Sequence, residues 1–230
     1  MLRLLDCSVG YHANLLVQNA TFSIELGAIK GIVAPNGYGK STLMRVASGD
    51  FTNLRSGSIE VDGKVYRDSF SHTDVLYVPG DASHLYKHLS VMDHLKMARS
   101  MWGVRGSIEA CVFQWGIEEF AHKKVRDLSS GMKQQAALAI ASFIGPKYLL
   151  LDEPTNALDP IHSANAIGII ERMAQGGAGV LISSHLLGTI DELCSSVLFF
   201  RDGGIVEMPR RGDISEMFSM CYGAHAMVQD

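Results

Sequence analysis

Apolar residues in the first third of the chain alternate with polar ones, or cluster, over lengths typical of β-strands. Residues 2–7, 21–26 and 29–33 show this pattern, and residues 58–63 have the pattern of a strand that runs into a turn. Successive side chains of a strand point to opposite faces, so such segments are expected to bury one or both faces of a sheet. The pattern predicts a β-rich N-terminal part.

From Ser90 to Phe143 the apolar spacing changes to that of helices. Ser90 is a favourable N-cap residue, Asp93 stands three positions later, and apolar residues then recur at about one helical turn. A second helical segment begins at Gly131. The sequence therefore predicts a helical region within residues 84–143.

Three apolar segments of strand length follow, separated by segments long enough for helices. They are residues 148–151, 179–182 and 197–200. This alternation is typical of a parallel sheet with crossover helices and places the chain in the α/β class. Because we find no internal repeat or flexible linker, residues 1–230 are predicted to form a single domain, with the helical subdomain 84–143 inserted into it.

The composition narrows the possible functions. Of the 230 residues, 47% are hydrophobic and 19% are charged, and no apolar run approaches the roughly 18 residues needed to cross a bilayer. The formal net charge of −4 argues against nucleic acid as a partner. The four cysteines form no Cys-x-x-Cys pair and the first residues lack a secretory signal, so a cytosolic location is expected.

A glycine-rich segment connects the predicted strand at 29–33 to a helical segment. Its sequence is Ala34-Pro35-Asn36-Gly37-Tyr38-Gly39-Lys40-Ser41-Thr42. In such a loop the backbone N–H groups surround nucleotide phosphates, the lysine reaches the β- and γ-phosphates, and the following hydroxyl binds Mg²⁺. The alternative is a glycine-rich turn with an incidental lysine. The candidate nucleotide-binding residues are Asn36, Gly37, Tyr38, Gly39, Lys40, Ser41 and Thr42, with Ser41 also a candidate Mg²⁺ ligand.

An acidic pair follows the apolar segment 148–151. Asp152 and Glu153 are expected at the carboxyl end of a parallel strand, where α/β sheets bind ligands. There Asp152 can hold the Mg²⁺ shell, and Glu153 can orient or deprotonate an attacking water. Alone, the pair would be interpreted as a polar loop. Together with the phosphate loop, it favours nucleotide hydrolysis.

These motifs and four further features resemble the nucleotide-binding subunit of ATP-binding cassette (ABC) transporters over nearly the whole chain. The features are an aromatic at Tyr11, a signature-like segment Leu128-Ser129-Ser130-Gly131-Met132-Lys133-Gln134, a D-loop-like segment Asn156-Ala157-Leu158-Asp159, and a histidine at His185. Taken singly, Tyr11 could be an edge tyrosine, the signature a serine N-cap and His185 a core or capping histidine.

The resemblance implies a P-loop NTPase fold with a mainly parallel core sheet, an N-terminal antiparallel β subdomain and an inserted α-helical subdomain. It implies that Tyr11 stacks on adenine, and that ATP and Mg²⁺ bind between two cassettes packed head to tail. Ser129, Ser130 and Gly131 of one chain would face the γ-phosphate held by the other, and His185 would contact that phosphate. Lys40, Glu153 and His185 would be the catalytic residues. A separate transmembrane permease would hold the chain at the cytoplasmic face of the membrane.

Four positions depart from the family's pattern. Ala34 replaces the first glycine of the phosphate loop, and Ser130 and Met132 replace a glycine and a glutamine of the signature. Gly80, after Pro79, stands where the family has a glutamine or glutamate that contacts Mg²⁺ and the attacking water. Glycine has no side-chain oxygen, so the sequence predicts slow hydrolysis.

The form of the signature and the segment 85–90 resemble exporter cassettes, so export is the expected direction, and either a homodimer or a heterodimer fits. Two alternatives remain. Ala34 and Gly80 favour a slow or non-hydrolytic cassette of a heterodimer; a soluble ABC ATPase unconnected to transport is less consistent with a single acidic cassette. His84, His88 and His94 are expected at the surface or at the contact with a membrane subunit, not as metal ligands.

Overall fold

The computed structural model describes residues 1–12, 14–70, 74–210 and 213–223, which contain ten strands and seven α-helices. The strands are β1 Leu2–Tyr11, β2 Asn14–Ile24, β3 Ile29–Val33, β4 Leu54–Val61, β5 Lys64–Tyr66, β6 Val75–Val78, β7 Tyr148–Asp152, β8 Gly179–Ser183, β9 Ser196–Arg201 and β10 Gly204–Pro209. The helices are α1 Lys40–Ala47, α2 Val91–Trp102, α3 Ile108–Trp115, α4 Ser130–Ile144, α5 Pro160–Gln175, α6 Leu187–Leu193 and α7 Ile214–Tyr222.

An antiparallel sheet in the order β2-β1-β4-β5 forms the N-terminal part. Its strands β1 and β2 are longer than the sequence predicted. The pairing register shifts between Leu4 and Cys7, and Asp6 between them has a positive φ of 51°. Such a bulge interrupts the strict alternation of apolar and polar residues, which explains why the predicted strand ended at Cys7.

The six-stranded core sheet has the order β10-β9-β3-β8-β7-β6 and is parallel except for β10, as the α/β prediction requires. After β3 the chain crosses to the far edge at β6, and β7 and β8 return towards β3. The carboxyl ends of β3, β7 and β8 therefore lie at one edge of the sheet, where ligands bind in this class. The sequence did not predict β10, an edge strand that is mostly half-buried or exposed.

Alternate residues of the core strands pack into two separate hydrophobic cores. Leu149, Val180 and Val197 belong to the core formed with helices α2 to α7. Leu150 and Leu181 belong to the core that also contains α1 and the antiparallel sheet. Helix α1 is thus packed between two sheets, and this arrangement fixes the loop that precedes it.

Three helices, α2, α3 and α4, lie between β6 and β7 in the chain. The predicted start of α2 is confirmed: Ser90 Oγ accepts from Asp93 N at 3.1 Å, and Asp93 Oδ2 accepts from Ser90 N at 3.0 Å. Trp115 Nε1 donates to Ser142 Oγ at 2.8 Å and joins α3 to α4. The helices confirm an inserted helical part, whereas the bounds 84–143 stay a prediction. Among the described helices, none has the length and apolar character needed to cross a bilayer.

We expect Gly57→Ala to destabilise the antiparallel sheet. Gly57 has a φ of +96°, and a Cβ there would lie 2.5 Å from Asp6 O and 2.6 Å from Cys7 Cα, opposite the bulge of β1. Positive-φ strain and overpacking together should lower the free energy of unfolding by about 3 kcal/mol, measured by urea denaturation. Gly188→Ala is the control because a Cβ there meets open space. Equal stability of the two variants would contradict the packing described here.

Candidate functional site

The phosphate loop lies between the end of β3 at Val33 and the start of α1 at Lys40. Its left-handed positions fall on Gly37 and Gly39, with φ of 85° and 99°. Ala34, which replaces a family glycine, is not among the positive-φ residues of the described chain, so its Cβ causes no such strain. The loop thus adopts its turn in spite of this departure, and Gly39 is the N-cap of α1.

Lys40 is folded back over the loop. Its Nζ donates to the Ala34 carbonyl oxygen at 2.7 Å and lies 3.5 Å from that of Pro35, and the residue is only 7% exposed. Burial lowers the pKa of Lys40, and the negative charges of Glu153 and Asp152 oppose this shift. The ammonium group is therefore held beside the two carboxylates that the sequence singled out.

A cleft of about 600 Å³ gathers most of the predicted site residues, a size typical of small-molecule sites. The predicted residues that line it are Tyr11, Asn36, Gly37, Gly39, Lys40, Ser41, Thr42, Asp152 and Glu153. Five predicted residues lie outside its lining: Tyr38, Ser129, Ser130, Gly131 and His185. The described part of the chain thus brings the phosphate loop and the acidic pair together, but not the signature.

Asp152 is held by hydrogen bonds from two neighbouring strands. Ser183 Oγ donates to its Oδ1 at 2.6 Å, and Tyr77 Oη donates to its Oδ2 at 2.9 Å. Burial and the nearby Asp152 charge raise the pKa of Tyr77, so its hydroxyl keeps the proton that it donates. Arg45 of α1 lies over the Tyr77 ring, with Cζ 5.9 Å from the ring centroid.

Sequence reasoning missed Tyr77, Arg45 and Ser183. Tyr77 and Ser183 contact Asp152 only because β6 and β8 both pair with β7. The spacing of residues along the sequence gives no indication of these contacts. The one available signal was that Ser183 directly follows the predicted strand at 179–182.

Glu153 and His185 form a second pair at the edge of the cleft. Glu153 Oε2 accepts from the backbone N of His185 at 3.1 Å and lies 2.7 Å from its ring Nδ1. The backbone N of Glu153 donates to Ser183 Oγ at 2.9 Å, and Glu153 has a positive φ of 48°. Within the described chain no hydrogen bond is formed to Glu153 Oε1. The structure therefore places His185 against Glu153; its contact with a γ-phosphate stays a prediction.

Tyr11, the last residue of β1, stands at the opposite side of the cleft. Its hydroxyl is 3.0 Å from Thr42 Oγ1 on α1, and 46% of the residue is exposed. The hydrogen bond anchors the hydroxyl end of the side chain. Stacking of this ring on adenine stays a prediction.

The signature segment forms the start of α4. Ser129 is the N-cap, and its Oγ accepts from Met132 N at 3.2 Å. Ser129 and Ser130 are exposed. A Cβ at Gly131 would lie 2.8 Å from the Ala157 carbonyl oxygen, so α4 begins in direct contact with the segment that follows Glu153.

Gly80, the sharpest departure from the family's pattern, packs against the acidic pair. A Cβ at this position would lie 2.6 Å from the Asp152 carbonyl oxygen and 3.2 Å from Glu153 Cβ. The acidic pair at the end of β7 therefore occupies the space that a side chain in place of Gly80 would need. Beside it, Asp81 lines the cleft, and its carboxylate accepts from Ser83 N at 2.9 Å.

The histidine expectation is wrong for His94. His84 and His88 are exposed, but His94 is 3% exposed within α2. Its Nδ1 lies 2.8 Å from the Ser90 carbonyl oxygen, and its Nε2 accepts from Tyr86 N at 2.9 Å. The residue belongs to the packing of α2 because the periodicity of that helix turns it inward.

The donor set of the cleft fits Mg²⁺. Ser41 supplies a hydroxyl oxygen and Asp152 a carboxylate, and both residues line the same cleft. Mg²⁺ prefers oxygen ligands, and beside nucleotide phosphates it typically takes only one or two carboxylates from the protein. The two carboxylate oxygens of Asp152 each accept one hydrogen bond and retain further lone pairs.

Comparison with known proteins gives two relatives matched over most of their length and a third matched over less than half of its length. The chain is 32% identical over 225 residues to the lantibiotic transport ATP-binding protein SrtF of Streptococcus pyogenes, which covers 95% of this chain and 96% of the relative. It is 31% identical over 227 residues to the ABC-type transporter ATP-binding protein EcsA of Bacillus subtilis, with 94% and 89% covered. The arabinose import ATP-binding protein AraG of Rhizobium johnstonii is 32% identical, but only 46% of it is matched.

Solved structures share the fold. One described as the ATP binding subunit of an ABC transporter has a TM-score of 0.81 at 25% identity, with 96% of this chain and 95% of that chain covered. The cassette MJ0796, in a dimeric post-hydrolysis state bound to ADP and Pi, has a TM-score of 0.81 over 92% of this chain and all of its own; its 21% identity supports the fold alone. The ABC transporter family model matches residues 17–156, more than half of the sequence. The chain therefore belongs to the ABC transporter family, as an ATP-binding subunit.

Proposed function

We propose that this subunit binds and hydrolyses Mg-ATP and thereby drives a transporter through ATP-dependent, head-to-tail dimerisation. The observation that carries the proposal is the single cleft lined by Lys40, Ser41, Asp152 and Glu153. It combines a desolvated cation, a hydroxyl and two carboxylates at the carboxyl edge of a parallel sheet, which is the chemistry that a nucleoside triphosphate requires.

Binding is assigned to the phosphate loop and α1. The backbone N–H groups at the start of α1 and the Lys40 ammonium offer positive charge to the phosphates. Lys40 is already withdrawn from water, so it exchanges a carbonyl partner for a phosphate oxygen without a large additional cost of desolvation. Tyr11 is assigned to stack on the adenine base, and Asn36 forms part of the wall of the cleft.

Hydrolysis is assigned to Glu153 as the group that orients the attacking water and accepts its proton. His185 holds Glu153 Oε2, which leaves Oε1 for the water. Mg²⁺, when bound by Ser41 and Asp152 together with ATP, supplies charge stabilisation at the phosphate oxygens. Asp152 in turn is oriented by Ser183 and Tyr77.

The exposed signature supports a dimer as the active form. Ser129, Ser130 and Gly131 lie at the N-terminus of α4, outside the cleft of their own chain. A helix N-terminus favours an anion, so this surface is suited to phosphate that a second cassette holds. The second cassette can be an identical chain or a related one.

A separate permease would place this subunit at the cytoplasmic face of the membrane, and we propose export as the direction. Support comes from the lantibiotic transport relative, which matches over almost the full length of both chains, whereas the arabinose import relative is matched over less than half of its length. The domain assignment 1–230, with the helical insertion 84–143, belongs to the same proposal.

The first experiment measures Mg-ATP hydrolysis by the purified chain over a range of protein concentrations. A homodimer gives a rate that rises with the square of the concentration. Glu153→Gln should reduce turnover by about 10²- to 10⁴-fold while Mg-ATP binding persists, because only the proton acceptor is lost. Glu171→Gln on α5, outside the cleft, is the control.

Two outcomes would count against this assignment. Turnover that survives in Glu153→Gln would remove Glu153 as the proton acceptor. ATP binding without turnover in the wild-type chain would favour the alternative of a slow or non-hydrolytic partner in a heterodimer.

We expect Gly80→Gln to lower turnover, although it restores the residue type found in the family. The new Cβ would meet the Asp152 carbonyl oxygen at 2.6 Å and displace the acidic pair. Gly80→Ala should therefore impair hydrolysis as well, with both variants compared with wild type by steady-state assay and thermal unfolding. A gain of activity in Gly80→Gln would show that the segment after β6 moves away at little cost.

We expect Tyr77→Phe to raise the Mg²⁺ concentration needed for half-maximal hydrolysis by about 10-fold. The hydroxyl that orients the Asp152 carboxylate is lost while the ring remains, and such supporting hydrogen bonds commonly change metal affinity by this amount. The measurement is a Mg²⁺ titration at fixed ATP. Tyr86→Phe, at a residue that is 61% exposed, is the control, and an unchanged titration for Tyr77→Phe would refute the role.

A further inference from the structure

Helix α7, which carries none of the family motifs, lies against the core sheet beside the phosphate loop. Ile214 is fully buried and Phe218 is 8% exposed, and both belong to the core on the helical side of the sheet. Their side chains fix the helix on the sheet. Tyr222, its last residue, is thereby brought to the end of β3.

The Tyr222 hydroxyl connects two strands where β3 enters the phosphate loop. It accepts from Phe200 N of β9 at 2.8 Å and donates to the Val33 carbonyl oxygen at 3.0 Å. Val33 is the residue immediately before Ala34. Burial raises the pKa of Tyr222, so the hydroxyl keeps the proton needed for its donated bond.

The Tyr222 ring contacts the tip of the same loop. It meets the Tyr38 ring edge-on, with centroids 5.9 Å apart and an interplanar angle of 81°. Phe218 and Phe199 support it from behind, with centroids at 4.7 and 6.4 Å. One side chain therefore contacts the phosphate loop at its entrance and at its tip, between Gly37 and Gly39.

We propose that Tyr222 is a positioning residue for the phosphate loop, so that docking of α7 determines the affinity of this subunit for nucleotide. The inference rests on the proposed function of the loop. Gly37 and Gly39 give the loop many accessible conformations. All of them except the one that accepts phosphate must be given up on binding. A contact that holds the loop at two points removes part of that entropy cost in advance.

The test is calorimetric titration with Mg-ADP, which binds without turnover. Tyr222→Phe removes both hydrogen bonds of the hydroxyl and keeps the ring, and it should weaken Mg-ADP binding roughly 3- to 10-fold. At saturating ATP its turnover number should change less than its KM. Met220→Ala on the same helix, where the residue is 82% exposed, should match wild type.

A double-mutant cycle tests the ring contact separately. Tyr38→Leu, Tyr222→Leu and the combined variant are titrated with Mg-ADP, and thermal unfolding is recorded for each. If Tyr222 acts through the loop, the losses of affinity are less than additive, because the second substitution removes a contact that the first has already broken.

The outcomes separate this inference from the proposed function. Wild-type chain that binds no Mg-ADP overturns both. Wild-type binding that Tyr222→Phe leaves unchanged, with KM also unchanged, overturns the inference alone. If Tyr222→Leu fails to fold, Tyr222→Phe decides, since it retains the aromatic packing on Phe218 and Phe199.

Discussion

The hydrogen bond from Ser183 Oγ to Asp152 Oδ1, at 2.6 Å, depends on the parallel pairing of β7 with β8, and most of the site depends on that pairing. The pairing of β7 with β8 places Glu153 next to His185, and it places Asp152 beside the phosphate loop that follows β3. A change of register by one residue would turn Asp152 to the other face of the sheet. Fully buried strands of branched residues hold this register because any shift would disrupt two cores at once.

Local sequence patterns were sufficient to predict the helix starts and strands that are determined by neighbouring residues. The capping box at Ser90 and the strand before the phosphate loop were predicted at their observed positions, and α4 begins one residue before the predicted Gly131. Each is determined by neighbours in the sequence. The acidic pair was also predictable, because its place follows from the strand that precedes it.

Contacts between distant segments were not predictable in the same way. The Tyr77 hydroxyl contacts Asp152, and the Tyr222 hydroxyl contacts Val33, both far away in the sequence. No sequence spacing therefore marks either tyrosine. The effect of Gly80 was predicted only as a missing side chain, whereas the structure shows a close approach of two backbones. The family resemblance showed that Gly80 stands in place of a glutamine or glutamate. Only the packing shows that Gly80→Gln would clash with the Asp152 carbonyl oxygen and so would not restore the family's arrangement.

The division of the core sheet into two faces bears on how such a subunit diversifies. Tyr148, Leu150 and Leu181 face the core that contains α1, and Leu149 and Val180 face the core of the inserted helices. A substitution on one face changes the packing of one core and leaves the other intact. Substitutions among the inserted helices α2, α3 and α4 can therefore alter that side of the sheet without changing the residues that pack against α1. The sheet thus separates the packing of the inserted helices from the packing of α1, whereas α7 reaches from the helical side to the phosphate loop through Tyr222.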